Sequence, residues 1–285
     1  MRIVRYLDAS GPRPGVLSDG VLHPVDAPDV ATLLRQPVHR LRGMLEAAAT
    51  GDDVPGAPRL LAPLDGRTEV WAAGVTYERS RDARMEESSE QSVYDRIYDA
   101  ERPELFFKSV AWRVVTDGDP IAVRADSPLN VPEPEVGLVL NADAEVVGYL
   151  VVDDVSSRSI EGDNPLYLPQ AKVYAGSCAV SAGIVPAWCV PDPGDLAIEL
   201  RVRRGEDTVF SGVTSTGALY RSSEDLVGHL FRALRFPDGA VLSTGTGIVP
   251  DMSFSLRPGD TVDISVAGIG SLTNPVLDTN AWLRR

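Results

Sequence analysis

Two apolar strands joined by a short turn, with acids gathered at their open ends, constrain this chain more than any other feature. Val131-Pro132-Glu133-Pro134-Glu135 runs into Val136-Gly137-Leu138-Val139-Leu140, Asn141-Ala142-Asp143-Ala144 follows, and Glu145 to Val152 leads back to Asp153-Asp154. The polar break between two β-rich runs reads as a hairpin turn. Side chains alternate along a strand, so Glu133 and Glu135 project from one face, ~7 Å apart. Like charges at that spacing repel unless a cation lies between them. Pro134 has no backbone donor and suits an edge or a strand entry. Folding back about the turn brings Asp153 and Asp154 near Glu133. A turn at Asp143-Ala144 pairs 133 with 154, whereas a turn centred on Asp143 pairs 133 with 153. One residue of register decides the face. In both cases three carboxylates converge. Oxygen-only ligands suit a hard cation, Mg²⁺ first, with Mn²⁺ or Ca²⁺ as alternatives. The competing reading is a solvated edge with scattered acids.

Composition narrows the setting of this site. A chain of 285 residues, 44% hydrophobic and 24% charged, suits one large globular domain or two unequal ones. No run of 18 apolar residues occurs, so no membrane span is expected. The start, Met1-Arg2-Ile3-Val4-Arg5, places charges where a signal peptide needs an apolar core, which points to a cytoplasmic protein. The net charge of −14 argues against nucleic acid and against anionic membrane surfaces. Cys178 and Cys189, the two cysteines, have no CxxC spacing or neighbouring histidine, and reduced thiols are expected of them. Of 27 basic residues only Lys108 and Lys172 are lysine. Where arginine fills every generic cationic place, a surviving lysine marks a need for a compact, deprotonatable ammonium.

Along the chain, residues 1–60 read as a small α+β unit. Strands are expected at Ile3 to Leu7, Gly15 to Leu17 and Val21 to Pro24, with turn chemistry over Ser10 to Pro14. A helix capped by Asp29 follows, and its apolar pattern resumes at Leu41, Met44 and Leu45. Gly51 to Pro58 reads as a linker, which places a domain boundary near residue 60 and a second domain over 61–285. That domain is mainly strands: Glu69 to Gly74, Glu104 to Phe107, Gly137 to Leu140, Val146 to Val152, Leu196 to Arg203 and Thr261 to Val266. Two helices are expected. One spans about Arg79 to Ala100, highly charged and poorly amphipathic, as a lid would be. The other starts at Ser222 or Ser223 and continues through Leu234. His229 lies on that second helix, and His23 and His39 lie in the N-terminal unit. None is placed for acid–base work in the large domain, which disfavours Ser-His-Asp or Cys-His schemes.

The acid pair, with the motifs after it, resembles the fumarylacetoacetate hydrolase superfamily over residues 68 to 283. The marks are Glu133-Pro-Glu135-Val-Gly-Leu-Val-Leu; Gly148-Tyr-Leu-Val-Val-Asp-Asp154-Val-Ser-Ser-Arg158; Lys172; Thr244-Gly-Thr246-Gly; Leu256-Arg-Pro-Gly-Asp260; and Gly268-Ile-Gly-Ser-Leu-Thr-Asn274-Pro275. The resemblance implies an α+β, mostly β fold, a mixed-strand β-roll catalytic domain behind the small N-terminal one. It implies a metal on Glu133, Glu135 and Asp154, which favours the 154 register. It also places Lys172 beside substrate, puts Thr246 in the turn that holds a substrate carboxylate, and implies a homodimer or homotetramer. One departure counts: the superfamily's hydrolases carry Asn-Tyr-x-x-His after the first core strand, but here Ser80 stands at the histidine position behind Tyr77.

Tyr77-Glu-Arg79-Ser-Arg-Asp-Ala-Arg84 with Glu104-Leu-Phe-Phe-Lys108 resembles a narrower branch, the 2-keto-3-deoxy-pentonate dehydratases. That likeness adds Glu104, Lys108 and Lys172 to the site. The activity it implies is Mg²⁺-dependent loss of water from a 2-keto-3-deoxy sugar acid to give a 2,5-dioxo acid, in sugar acid catabolism. A 2-oxo acid chelates a cation, which stabilises the enolate formed as a C3 proton leaves. Lys172 is the expected base and Glu104 the acid that protonates the C4 hydroxyl. A glutamate fills that role best where burial or neighbouring acids raise its pKa. Lys108, Thr246 and Tyr77 are expected to bind substrate, with Arg79 and Arg84 closing over the anion. The rivals are an acylpyruvate hydrolase or oxaloacetate-type decarboxylase of the superfamily, and a metal-binding module without catalysis.

Overall fold

The computed structural model describes residues 1–80, 82 and 100–285. The apolar run around Leu138 is buried on both faces: every residue of the Pro134–Leu140 strand is buried, as is nearly all of Val146–Asp154. This is why the run lacks polar alternation. These two strands form the middle of a mixed sheet. Its order is Val21–Pro24, Gly11–Ser18, Arg2–Asp8, Gly183–Pro186, Val146–Asp154, Pro134–Leu140, Ala240–Ser243, Glu69–Gly74, Glu104–Val110. Ala240–Ser243 is the late arrival, antiparallel to Pro134–Leu140 and parallel to Glu69–Gly74. A second sheet runs Asp207–Ser215, Ala197–Arg204, Asp260–Val266, Gly270–Asp278, Ile121–Val123.

Alternation sorts the core into two layers. Val136, Leu138, Leu140, Tyr149 and Val151 pack with Ile198, Leu200, Val262 and Ile264 of the second sheet. Val139, Val147, Leu150 and Val152 point the other way, onto Leu33, Leu34, Leu41 and Leu45. Those leucines lie on the helices Val30–Leu34 and Val38–Ala48, the first capped by Asp29 on Thr32 N. The expected boundary near residue 60 falls between Val38–Ala48 and the Leu60–Leu61 strand. Arg2–Asp8 pairs with both Leu60–Leu61 and Gly183–Pro186.

Three local expectations are corrected. Turn chemistry over Ser10 to Pro14 shrinks to Ala9-Ser10, because Gly11–Ser18 is one strand whose Pro12 and Pro14 stay extended opposite Leu7 and Arg5. The helix from Ser223 ends at Leu230, not Leu234; beyond it Phe231 stacks edge-on against Phe236 at 4.9 Å. Its cap is Ser222, which accepts from Asp225 N. The strands expected from Gly137 and to Phe107 run longer, from Pro134 and to Val110. Most of the helix expected over Arg79 to Ala100, with Arg81 and Arg84, lies outside the described residues.

Candidate active site

The hairpin register decides which acids meet. Val152 pairs with Glu135 and Asp153 with Pro134, so the next step sets Asp154 opposite Glu133, where Asp154 N donates to Glu133 O (3.0 Å). A one-residue shift between Val146 and Gly148 is absorbed near the turn, where Ala144 takes φ 65°. Glu133, Glu135 and Asp154 are all buried, and one carboxylate oxygen from each lies within 4.8 Å of the others. Asp153 faces away from this group. Its Oδ1 accepts from Glu133 N (3.0 Å), and burial pushes its pKa up to about 8.

Glu135 is gripped from the Ala240–Ser243 strand end. Its Oε2 accepts from Ser243 Oγ (2.5 Å) and Gly245 N (2.8 Å). Burial, then the charges of Asp154 and Glu133, raise its pKa to about 8. Three carboxylates crowded into a buried site, one held back from ionising by burial and by the other two, form a donor set that a hard divalent cation would satisfy.

Lys172 completes the cluster. Its Nζ donates to Glu133 Oε2 (2.6 Å), Asp154 Oδ2 (3.2 Å) and Ser156 Oγ (2.5 Å), with Glu161 Oε1 at 3.8 Å. The short helix Leu168–Lys172 delivers it. Lys172, the three acids, Arg158, Phe106, Ser80 and Thr246 line one cleft, closed on one side by Ala73-Gly74-Val75. Val75 sits at φ 54°, a left-handed conformation that strains a β-branched residue by about 1–3 kcal/mol. The bend brings Thr76 Oγ1 onto Thr244 O (2.6 Å), locking the two walls together. At Gly245 (φ +87°) a Cβ would run into Thr76.

The other expected site residues are placed unevenly. Thr246 lines the cleft, with its hydroxyl turned to Ile248 of its own loop. Glu104 stands opposite Gly74, its carboxylate so close that a Cβ there would collide with it. Phe106, on the same face, lines the cleft. Arg79 reaches Val249 O at 3.5 Å, at the cleft rim. Tyr77 lies beneath Gly247, outside the cleft lining, its phenol buried and its pKa raised by burial and by Glu135. Lys108 is fully buried behind Asp154, also outside the lining. Arg84 lies outside the described residues. Sequence reasoning did not single out Ser156, Glu161 or Ser243. Their signal is spatial, since Glu161 nears Lys172 only because Arg158–Asp163 coils back as a helix.

With this geometry in place, residues 69–277 match the fumarylacetoacetate (FAA) hydrolase C-terminal family. The chain belongs to that family. Within it, a probable 2-keto-3-deoxyxylonate dehydratase of Haloferax volcanii is 46% identical over 252 residues, spanning 88% of this chain and 86% of the relative. A 2-dehydro-3-deoxy-D-arabinonate dehydratase of Saccharolobus solfataricus is 41% identical over 222 residues, 76% of this chain and 74% of that one. Among solved structures, a 2-keto-3-deoxy-D-arabinonate dehydratase complexed with magnesium and 2,5-dioxopentanoate superimposes with a TM-score of 0.85 at 34% identity, covering 98% of this chain and 99% of the other. The mostly β fold expected from the sequence is the fold of this family. No helix among the described residues is long and apolar enough to cross a membrane. Both cysteines are free thiols.

Proposed function

We propose that this family member is a hydro-lyase that removes water from a 2-keto-3-deoxy pentonate to give 2,5-dioxopentanoate, with Mg²⁺ held by Glu133, Glu135 and Asp154. The observation that carries the reading is the buried carboxylate triad with Lys172 on one cleft wall, in a chain that aligns along most of its length with dehydratases. The names of those two relatives describe one carbon skeleton. With C2 a ketone and C3 a methylene, only C4 can differ in configuration.

When bound, the cation supplies Lewis-acid stabilisation of the charge that develops at the 2-oxo group. The chain's own residues do the rest. With the cation bound at the three acids, Lys172 Nζ acts as a neutral amine and takes the C3 proton. Glu104 gives a proton to the departing C4 hydroxyl, so water leaves and a C3=C4 double bond forms; loss of a C5 proton and return of a proton to C3 move it to C4=C5, an enol that tautomerises to the aldehyde. Thr246 and its loop hold the substrate carboxylate, and Tyr77 supports that loop from below. Arg79 and Arg84 close on the anion. Ser80, in place of a histidine base, leaves the cleft without the group that water-driven C–C cleavage needs. The reading includes a cytoplasmic homodimer or homotetramer acting in sugar acid catabolism, whose mass light scattering would report. It also keeps a domain boundary near residue 60, where limited proteolysis would cut first.

The test is to incubate metal-stripped protein with 2-keto-3-deoxy-D-arabinonate, with and without Mg²⁺, and follow 2,5-dioxopentanoate. An acylpyruvate and oxaloacetate run alongside. Mg²⁺-dependent dioxo acid is the expected result. Cleavage of the acylpyruvate, or carbon dioxide from oxaloacetate with no dioxo acid, would replace the dehydratase reading with another reaction of the family.

A further inference from the structure

We infer that Lys108 is a positioning residue: its buried ammonium fixes Asp154 and the backbone carrying Lys172, and it does not bind substrate. The inference rests on the proposal above that Asp154 holds the metal and Lys172 moves the proton.

Lys108 lies in the Glu104–Val110 strand and is 0% exposed. Its Nζ donates to Val155 O (3.0 Å) and Lys172 O (2.6 Å) and forms an ion pair with Asp154 Oδ1. An ammonium has three donors and no acceptor. The two carbonyls take two of them, Asp154 pairs with the charge, and with the side chain fully buried outside the cleft lining none faces a ligand. The two lysines grip Asp154 from opposite sides, Lys108 on Oδ1 and Lys172 on Oδ2, but only Lys172 lines the cleft. Ser177 Oγ also donates to Lys172 O (2.9 Å), so the carbonyl at the root of the reactive side chain is held twice.

The residue type follows from this geometry. Three oxygens from two chain segments, Asp154-Val155 and Lys172, converge on one atom, which suits a compact ammonium. A planar guanidinium spreads its donors over a fork and cannot meet that point. A buried cation is costly unless fully paired. In a chain with 25 arginines, a lysine kept here answers a geometric need. Groups that orient metal-binding carboxylates from behind typically change metal affinity or activity about 10- to 100-fold when removed.

The experiment is calorimetric titration of the substrate-free full chain with Mn²⁺, comparing wild type, Lys108→Met and Lys108→Arg, with circular dichroism as the fold control. In the Met variant, Mn²⁺ affinity falls about tenfold or more, and the Arg variant lies between it and wild type. At saturating metal, kcat falls in both while KM for the 2-oxo acid stays within about twofold, the split expected of a group that touches no substrate. If the Met variant does not fold, the Arg variant, which keeps the charge, carries the test. Wild-type or tighter Mn²⁺ affinity with KM raised about tenfold or more would make Lys108 a substrate ligand and overturn the inference. Failure of the unmodified chain to bind Mn²⁺ would overturn the metal reading itself, and this inference with it.

Discussion

Glu135 and Asp238 are both buried carboxylates, yet the protein treats them in opposite ways. Asp238 is a hub: Arg35 and Arg67 pair with it (2.9 and 3.2 Å) and Arg67 N donates to it (2.9 Å). Hydrogen bonds from Arg67 hold its pKa down to about 2. Glu135 sits among other acids, and burial holds its pKa up to about 8. One carboxylate ties the helix region around Arg35 to the main sheet. The other is kept in a place that opposes its ionisation. The contrast is the one expected if Asp238 serves the fold and Glu135 the proposed metal site, where an acid costs stability until a ligand arrives.

Four predictions probe that contrast. The largest effect belongs to Glu104→Gln. It should lower turnover about 10²- to 10⁴-fold while substrate binding stays near normal, read by steady-state kinetics and equilibrium binding. Unchanged kcat would remove Glu104 from the acid role. Next is Glu135→Gln, which keeps an acceptor for Ser243 and Gly245 but removes an acid that the buried site forces to hold a proton. Metal affinity should drop about 10-fold or more, while the metal-free chain gains about 1 kcal/mol against urea. A loss of stability in that variant would dissolve the contrast with Asp238.

Asp238→Asn should do the reverse, costing about 1–3 kcal/mol and a few degrees of Tm. The exposed guanidinium partners hold the effect to that range, and kcat should be unaltered. The smallest effect is the shape of the pH–stability curve. Asp238 is depressed, so its contribution is full above pH ~4, near the unfolded aspartate pKa, and is lost as pH falls toward about 2. Glu135 is raised, so between pH ~4 and about 8 the folded state keeps a proton that the unfolded chain has released. Metal-free stability should therefore decline as pH rises through that window. Added Mg²⁺ should cancel the decline, giving a larger Tm shift at pH 8 than at pH 6. An equal shift at both would mean that the acids are ionised without metal.

Much of the site was legible because its key pairs are local. Glu133 and Glu135 are two apart on a strand, and a short turn separates them from Asp154, so period-two alternation and hairpin arithmetic bring them together. The arithmetic left 153 and 154 open, because the slip near Val146 depends on Ala144 adopting a left-handed turn. The lysine count pointed to Lys108 and Lys172, but only packing shows that one faces the cleft and the other the core. Ser243 and Gly245 were out of reach, since their approach to Glu135 needs a strand pairing more than 100 residues apart. The ends of strands were blurred by prolines. Pro12 and Pro14 read as turn chemistry, yet both lie in extended backbone within a strand, whereas Pro134 opens its strand as expected.

The Ala240–Ser243 strand also has a consequence for how the protein comes into being. It slides between Pro134–Leu140 and Glu69–Gly74, pieces that emerge from the ribosome far earlier. Until it arrives, the two halves of the sheet have no partner across the gap, and Glu135 lacks the Ser243 and Gly245 donors. Such distant pairing slows folding and leaves apolar strand edges open in the meantime. A nascent chain halted before residue 240 should therefore be a target for chaperones and bind no metal. Metal binding would then report completed folding.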